Sequence, residues 1–425
     1  MPSHSAARAA CFLVLFAAFA APAAERLSLD DAFARVEQAH PDLRLTAARR
    51  DVLGAELDRA SLAPPLRVGA EADSVLGTGE ASGLQRAELS LTLASVLERG
   101  GKLDARRALV QSRIDALAIE REATRLDLLA EVARRYLAVV AAQRLREIAE
   151  LDIAQRRRTV AAARERLEAG ASPESVVLTA QAALARAELE LARAQQRGAA
   201  ARQHLAALWG ERDPDFEIAD SDPLRLPEID TFAALADWLA RTPELARFVD
   251  EQRIREARLR LARTQATPDL EWQVGVQRLF ETDDFALTGS VSMPLGARSR
   301  ARPDIRAAEA EVAMLAIEGE SQRLALYSTL AEAHGRYLTA RLEARRLGED
   351  VIPHLAKAET AAERAYRAGA ISYLEWAQLQ SERVAARRQQ LDAALDAQRA
   401  LIEIQRLTGQ PLVAGPSATE QDPTP

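Results

Sequence analysis

The stretch AYRAGAISYLE, at residues 365–375, decides the fold because its centre occurs twice in the chain. Ala368-Gly369-Ala370 repeats Ala169-Gly170-Ala171 about 200 residues later, and other short matches recur in the same order around these two centres. The further pairs are Pro41 and Pro243, Pro65 and Pro268, Tyr136 and Tyr337, and Gly210 and Gly409. Ordered recurrence of this kind indicates two copies of one structural unit.

Both units show the same predicted order of elements. An opening helix ends before a proline, as helices commonly do, and two short segments that alternate apolar and polar residues follow. A very long helix comes next, and the turn at Gly170 or Gly369 leads into a return helix of about 37 residues. The predicted opening helices are 28–62 and 230–265, and the predicted long helices are 103–168 and 303–367. Their Ala-rich seams favour coiled-coil packing.

The four alternating segments predict strands with one apolar and one polar face. The apolar positions are Leu66, Val68, Ala70 and Ala72, then Ala87, Leu89, Leu91 and Leu93, then Leu270, Trp272, Val274 and Val276, and finally Phe285, Leu287, Val291 and Met293. Strands of about 8–11 residues have the length of membrane-spanning β-strands. Four such strands cannot close around a lumen, and unpaired strand edges are not tolerated in lipid. The pattern therefore predicts an oligomer, and three copies would give twelve strands.

Composition excludes several classes of function. Of the 425 residues, 48% are hydrophobic, 28% are charged and only 4% are aromatic, and Ala, Leu, Arg and Glu dominate. This composition is typical of long helices and coiled coils rather than of α/β enzymes. The net charge of −7, with Arg interleaved among Glu and Asp, argues against nucleic-acid binding, which needs an excess of basic charge on one face.

The first 23 residues have the pattern of a secretory signal peptide. Arg8 gives the positive start, residues 9–20 form the apolar stretch, and Ala21-Pro22-Ala23 offers small residues for cleavage. The only cysteine, Cys11, lies inside this segment, so we expect no disulfide, thiolate metal site or lipid anchor in the mature protein. After it, no stretch approaches the ~18–20 apolar residues of a membrane-spanning helix.

In this order of elements the chain resembles the TolC family of outer-membrane efflux proteins over nearly its whole mature length. The duplicated plan, the prolines before the strands, the turn at 365–375 and the ending Leu407-Thr408-Gly409 carry the resemblance. It implies a mainly α fold with a small β part. The helices would form a long coiled-coil α-helical barrel, and four β-strands per chain would contribute to a trimeric, twelve-stranded transmembrane β-barrel. It also implies a homotrimer in outer-membrane lipid that extends into the periplasm. There it would dock to a periplasmic adaptor (membrane fusion) protein and an inner-membrane RND-type pump.

A second motif, LERGGK at residues 97–102, follows the second predicted strand. It resembles the Glu-Leu-Gly-Gly-Lys-Arg segment of the heavy-metal-efflux branch of the family, the CzcC-like proteins. Arg99 stands in place of leucine, Leu103 and Asp104 follow where basic residues are usual, and the segment 294–298 lacks the usual Pro-Leu-Phe. The resemblance favours export of heavy-metal cations, with multidrug efflux or type I secretion as alternatives.

The resemblance also marks candidate functional residues near the helix turns. The positions that match the family's adaptor-docking tips are Arg166, Gly170, Ser172, Arg367, Gly369 and Ser372. Glu375 matches an acidic position that rings the periplasmic aperture, or gate, and the second acidic position falls on Gln378. Three Glu375 side chains around one axis would form a constriction that attracts cations. The alternative interpretations are a solvated helical Glu375 and ordinary turn chemistry, with glycine at a helix end and serine as the next cap.

No catalytic constellation and no cofactor site is predicted. No metal site is predicted either, because the five histidines lack metal-ligand spacing. The hypothesis is therefore a passive exit duct in the outer membrane, not an enzyme. Its predicted segments are a signal peptide (1–23), a first repeat (24–210), a linker (211–229), a second repeat (230–409) and a disordered tail (410–425). A soluble periplasmic coiled-coil scaffold is the alternative from a different class, because the chain offers few residues for an aromatic girdle.

Overall fold

A computed structural model describes residues 25–75, 78–79, 86–219 and 221–411 of the chain. The predicted signal peptide, with Cys11, and residues 412–425 of the predicted tail lie outside the described residues. The described part consists of long helices, one four-stranded sheet and one very small two-stranded sheet.

The first unit contains one helix that is much longer than the rest. Its elements are β1 (Glu25–Leu27), α1 (Leu29–Ala39), α2 (Pro41–Ala60), β2 (Arg67–Asp73), β3 (Glu88–Leu97), α3 (Lys102–Glu168) and α4 (Glu174–Ala206). Helix α3 has 67 residues and is therefore roughly 100 Å long. Its bounds agree with the predicted long helix within one residue.

The second unit repeats this order with one interruption. Its elements are β4 (Phe216–Ile218), α5 (Phe232–Leu239), α6 (Pro243–Thr264), β5 (Leu270–Leu279), β6 (Asp284–Ser292), α7 (Ala297–Arg346), α8 (Ile352–Arg367) and α9 (Tyr373–Thr408). A five-residue π-helical turn, Leu347–Val351, separates α7 from α8. In a regular α-helix the ring of Pro353 would clash with the carbonyl four residues earlier. The wider π-helical turn gives this ring room.

Each predicted opening helix is in fact two helices, so that prediction was wrong in both halves. The residue before a proline is disfavoured in the helical region. His40 and Thr242, which precede Pro41 and Pro243, accordingly have extended backbones with ψ of 129° and 151°. Each proline is then the first residue of the next helix. A backbone N–H at that position has no acceptor within the helix, so the missing N–H of proline costs no hydrogen bond.

The predicted start of the second long helix at 303 was also wrong. Helix α7 begins at Ala297, behind the left-handed Gly296 (φ +77°), and continues through Pro303. One proline near the start of a 50-residue helix removes a single backbone hydrogen bond, and the many remaining bonds hold the segment helical.

The four-stranded sheet is antiparallel, with the order β2-β3-β5-β6. Its register aligns the apolar positions on one face: Ala70 pairs with Leu91, Leu91 with Val276, and Val276 with Leu287. This face is open within the chain, since Leu91 is 58% and Leu287 88% exposed. The predicted separation of apolar and polar faces is therefore confirmed.

In each unit, a tyrosine of the long helix binds the chain segment that precedes the unit's first helix. Tyr136 donates its hydroxyl hydrogen bond to the Leu27 carbonyl at 3.2 Å, and Tyr337 donates to the Pro227 carbonyl. Leu27 belongs to β1, which pairs in parallel with β4 in a sheet that the sequence did not predict. These equivalent hydrogen bonds give the recurrence of Tyr136 and Tyr337 in the sequence a structural reason.

The apolar core runs along the interfaces between helices. Ala130, Ala133 and Leu137 of α3 form one cluster with Leu391 and Leu395 of α9. Small alanine side chains let the helix backbones approach closely, as predicted from the Ala-rich seams. Among the described helices, none is both long enough and apolar enough to cross a lipid bilayer.

Candidate functional site

The two helix hairpins end in turns of the same design. Gly170 after α3 and Gly369 after α8 have left-handed backbones, with φ of +68° and +79°. The Ala171 N–H donates to the Arg166 carbonyl at 2.8 Å, and the corresponding bond from Ala370 has the same length. These bonds satisfy carbonyls that a helix end leaves open. Both turns are therefore short and closed by backbone hydrogen bonds.

Arg166 ties the two turns together. Its Nη1 donates to the Tyr366 carbonyl of the other hairpin, and its Nη2 donates to the Ala171 carbonyl at 3.4 Å. The guanidinium also lies over the Tyr366 ring, with Cζ 4.9 Å from the ring centroid, which is a favourable cation–π geometry. The residue predicted as an adaptor contact thus has an internal structural role at the tip.

We expect Arg166→Ala to lower the free energy of unfolding by about 1–2 kcal/mol, because it removes the cation–π contact and the hydrogen bond to the Tyr366 carbonyl of the other turn. Thermal unfolding and limited proteolysis near residues 365–372 measure the effect. The control is Arg367→Ala, since the Arg367 side chain is 56% exposed and pairs with Glu363 of its own helix at 3.2 Å. An equal loss in both variants would contradict the bridging role of Arg166.

The two predicted capping serines behave differently. Ser372 caps α9 in a reciprocal capping box, because its Oγ accepts from the Glu375 N–H at 3.3 Å and Glu375 Oε2 accepts from the Ser372 N–H at 2.7 Å. Ser172 does not cap α4, whose N-cap is Pro173 without a side-chain hydrogen bond. The capping interpretation was therefore right for Ser372 and wrong for Ser172.

Glu375 and Gln378 both lie on the exposed side of α9. Hydrogen bonds from the Ser372 backbone and hydroxyl lower the pKa of Glu375, so this carboxylate stays charged at neutral pH. Gln378 donates to Glu382 Oε1 at 2.9 Å. One permanent negative charge therefore stands directly behind the second turn.

An aromatic cluster that the sequence analysis missed packs above the turns. Trp376 is only 1% exposed, Tyr366 2% and Tyr373 6%. The rings of Tyr366 and Trp376 lie 5.1 Å apart, and Val160 and Val177 complete the cluster from the first hairpin. The spacing of Tyr373 and Trp376 places both on one helix face and was the available signal. The cluster joins the two hairpins at their tips.

Farther from the tip, a buried polar network links α3 to α9. Arg156 donates to Gln380 Oε1 at 3.3 Å and to Ser381 Oγ at 3.1 Å, and its Nε donates to Asp152 at 3.0 Å. Gln380, which is fully buried, donates in turn to Thr159 Oγ1 at 2.8 Å. Buried polar groups of this kind fix the register of packed helices, because a shifted register leaves them without partners.

A buried ion pair continues this network into α8. Arg383 Nε lies 2.7 Å from Glu359 Oε2, with side-chain exposures of only 18% and 8%. The Arg383 Nη2 also donates to Gln155 of α3, so one guanidinium connects three helices. Burial is the main reason that the pKa of Glu359 is raised, and the charge of Arg383 opposes this shift.

The polar face of the four-stranded sheet is acidic. Its charged residues, which the strand register places on one side, are Arg67, Glu71, Asp73, Glu88, Glu271 and Asp284. Five carboxylates against one guanidinium leave a formal charge of −4 on this face of each chain. Such a face attracts cations and repels anions. Within the described ranges, no three His, Cys, Asp or Glu side chains are grouped to hold a metal ion.

These elements are those of an outer-membrane efflux channel. The family model for outer membrane efflux proteins matches residues 33–211 and 234–410, one match for each repeat. The chain therefore belongs to the outer membrane efflux protein family, whose members are channels and not enzymes.

Individual relatives agree with this assignment. The cobalt-zinc-cadmium resistance protein CzcC of Cupriavidus metallidurans is 25% identical over 316 residues, which cover 74% of this chain and 75% of that protein. The fold is similar to that of a membrane protein from Pseudomonas aeruginosa, with a TM-score of 0.75, 18% identity and coverage of 91% of each chain. It is also similar to CusC, which forms a transmembrane channel, with a TM-score of 0.74, 18% identity and coverage of 89% and 91% of the two chains.

Proposed function

We propose that this outer-membrane efflux channel conducts heavy-metal cations as the passive exit duct of a tripartite system. The acidic polar face of the sheet is the observation that carries the proposal, since the −4 charge would line the route if this face surrounds the lumen. The 25% identity to a cobalt-zinc-cadmium resistance protein supports the same cargo.

The channel is proposed to be a homotrimer that closes through the edges of each chain. The sheet ends at β2 and β6, and the helices that continue it lie in the same order, α2-α3-α6-α7. Large apolar side chains are exposed on both edge helices, namely Leu45 and Val52 on α2 and Met314, Ile317 and Leu324 on α7. Contact between α7 and β6 of one copy and α2 and β2 of the next would cover them. Three copies would then close a twelve-stranded barrel with its apolar face toward lipid.

The remaining assignments follow the family plan. The predicted signal peptide at 1–23 would direct export, and the long helices would cross the periplasm toward an adaptor protein and an RND-type pump in the inner membrane. The adaptor would dock at the two tips, where Arg166 joins one turn to the other. The proposed contact residues are Gly170, Ser172, Arg367, Gly369 and Ser372. Energy for transport would come from the pump.

Single-channel recording of the purified mature protein in a planar bilayer tests the channel. We expect discrete conductance steps and a cation-shifted reversal potential, and a smaller shift in Glu375→Gln, because this variant removes one charge per chain from the proposed aperture. Glutamine still completes a capping box, so the helix start is preserved. An unchanged reversal potential would refute the aperture role of Glu375, and silence of both folded proteins would favour the coiled-coil scaffold.

Growth of a deletion strain tests the cargo. We expect increased sensitivity to cobalt, zinc or cadmium salts, restored by the wild-type gene. If the deletion strain is sensitive to drugs but tolerates metals normally, drugs and not metal cations are the cargo. The assignment as a channel is not affected by that result.

A further inference from the structure

The LERGGK motif meets the second repeat at the junction between sheet and helices. Lys102, the first residue of α3, is only 6% exposed, and its Nζ lies 2.8 Å from Asp269 Oδ2. Asp269 directly precedes β5, the strand that pairs with β3. The Asp269 side chain is 27% exposed, so this ion pair between a buried lysine and a half-buried carboxylate links the point where β3 becomes α3 to the point where α6 leads into β5.

The same carboxylate and Gly100 bring the motif close to the second repeat. Asp269 Oδ1 accepts a hydrogen bond from the Arg99 N–H at 3.1 Å, so one side chain holds both the backbone and the lysine of the motif. Gly100 has a φ of +77°, and a Cβ there would lie 2.7 Å from Cβ of Thr267. Only glycine fits at this position, because any side chain would be strained and would collide with Thr267.

A second ion pair joins the motif to α3. Glu98 accepts two hydrogen bonds from Arg106, at 2.5 and 2.8 Å, which is the strong bidentate geometry. Arg106 Nη2 also lies 3.5 Å from the Leu62 carbonyl, just beyond α2. The motif is thus held from two sides, with Glu98 paired to Arg106 of α3 and Lys102 paired to Asp269 before β5.

The equivalent junction in the second repeat has no such ion pair. Gly296 occupies the helix-start position of Gly101 with nearly the same φ, +77° against +74°, but Ala297 stands where Lys102 does. Leu66, which follows Pro65 as Asp269 follows Pro268, is 64% exposed. In a closed ring of copies, this second junction would lie between neighbouring chains.

We propose that Lys102 and Asp269, supported by Gly100, form a lock that assembles the four strands of each chain into one sheet before the copies associate. The pair suits this task, because an incorrect strand register would leave the buried Lys102 ammonium without its partner. The motif is then a determinant of assembly and makes no contact with the cargo. The assembly readout rests on the proposed trimer but not on the identity of the cargo.

Refolding of the full mature chain into detergent tests the lock. Hydrogen exchange follows protection of the β3 and β5 amides, and cross-linking follows the trimer. In the wild type we expect protection to precede the trimer. In Lys102→Met and in Asp269→Asn we expect amide protection and the cross-linked trimer to appear at the same time. The trimer should form at least about tenfold more slowly than in the wild type. The control is Lys357→Met, because Lys357 is the only other lysine and is exposed on α8.

A double variant keeps the test decisive if the single variants do not fold. Lys102→Met combined with Asp269→Leu removes both charges, so we expect it to assemble better than either single variant. The lock is refuted if the single variants form the trimer at the wild-type rate. It is also refuted if the rate in the double variant is lowered by as much as the two single-variant effects added together. Wild-type assembly with an altered reversal potential would instead make the motif a cargo contact.

Discussion

Trp376→Ala is expected to lower the free energy of unfolding by about 3–5 kcal/mol, the usual cost of truncating a large buried aromatic residue. Trp376 is 1% exposed and packs on Tyr366 and Tyr373 at the place where the two hairpins meet. Its indole N–H has no hydrogen-bond partner within the described residues, so the loss is one of packing. Thermal unfolding followed by circular dichroism measures it.

The neighbouring Leu374→Ala is the matched control for this prediction. Leu374 lies on the same turn of α9 but is 69% exposed, so its truncation should change the stability of the single chain by less than about 0.5 kcal/mol. Limited proteolysis should open the tip in the Trp376 variant and not in the control. Equal stability of both variants would mean that the aromatic cluster does not hold the hairpins together.

Arg383→Gln is expected to cost about 3–5 kcal/mol at neutral pH, because it leaves the Glu359 carboxylate buried without its partner. In the wild type the two groups are 2.7 Å apart, and the carboxylate side chain is 8% exposed. The matched control is Arg399→Gln, since the exposed Arg399–Asp396 pair on the same helix should contribute at most about 1 kcal/mol.

The cost of Arg383→Gln should depend on pH in a definite direction. Burial raises the pKa of Glu359 above its ordinary 4.5, so the folded chain binds this proton more tightly than the unfolded chain does. Such a group stabilises the fold below pH 4.5, and the contribution is lost as the pH rises through the raised pKa.

Arg383 is the strongest of the groups that oppose this shift, ahead of Arg158 and Gln380, so the pKa of Glu359 rises further when it is removed. The gap in unfolding free energy between wild type and variant should therefore widen as the pH rises. It should narrow toward pH 4.5, where Glu359 becomes neutral in both. Unfolding midpoints of both proteins across this range provide the measurement, and a gap that does not change with pH would contradict the buried ion pair.

Much of the fold could be predicted because it depends on short-range patterns. The recurring landmarks predicted the two repeats, and α3 and the four sheet strands appear where the period of the apolar residues placed them. The errors lie where one local signal competes with another. Pro41 and Pro243 break the opening helices, whereas Pro303 lies inside α7 without ending it.

The candidate site could be predicted only in part. The sequence placed Gly170, Gly369 and Ser372 in their turns, because these residue types have strong local preferences. It did not reveal that Arg166 bridges the hairpins, because its partner Tyr366 is 200 residues away. It also missed Gln380, since a polar residue on a helix is usually solvated unless tertiary packing buries it.

By itself, the sequence determined the duplicated plan, the length of the first long helix and the two faces of each strand. These follow from periodicity and from residue preferences that act within a few positions of the chain. Only the tertiary structure decided which polar and charged side chains are paired. Lys102 with Asp269, Arg383 with Glu359 and Arg156 with Gln380 each join residues that are far apart in the sequence. Such pairs depend on how helices and strands pack, and that packing is absent from any local pattern.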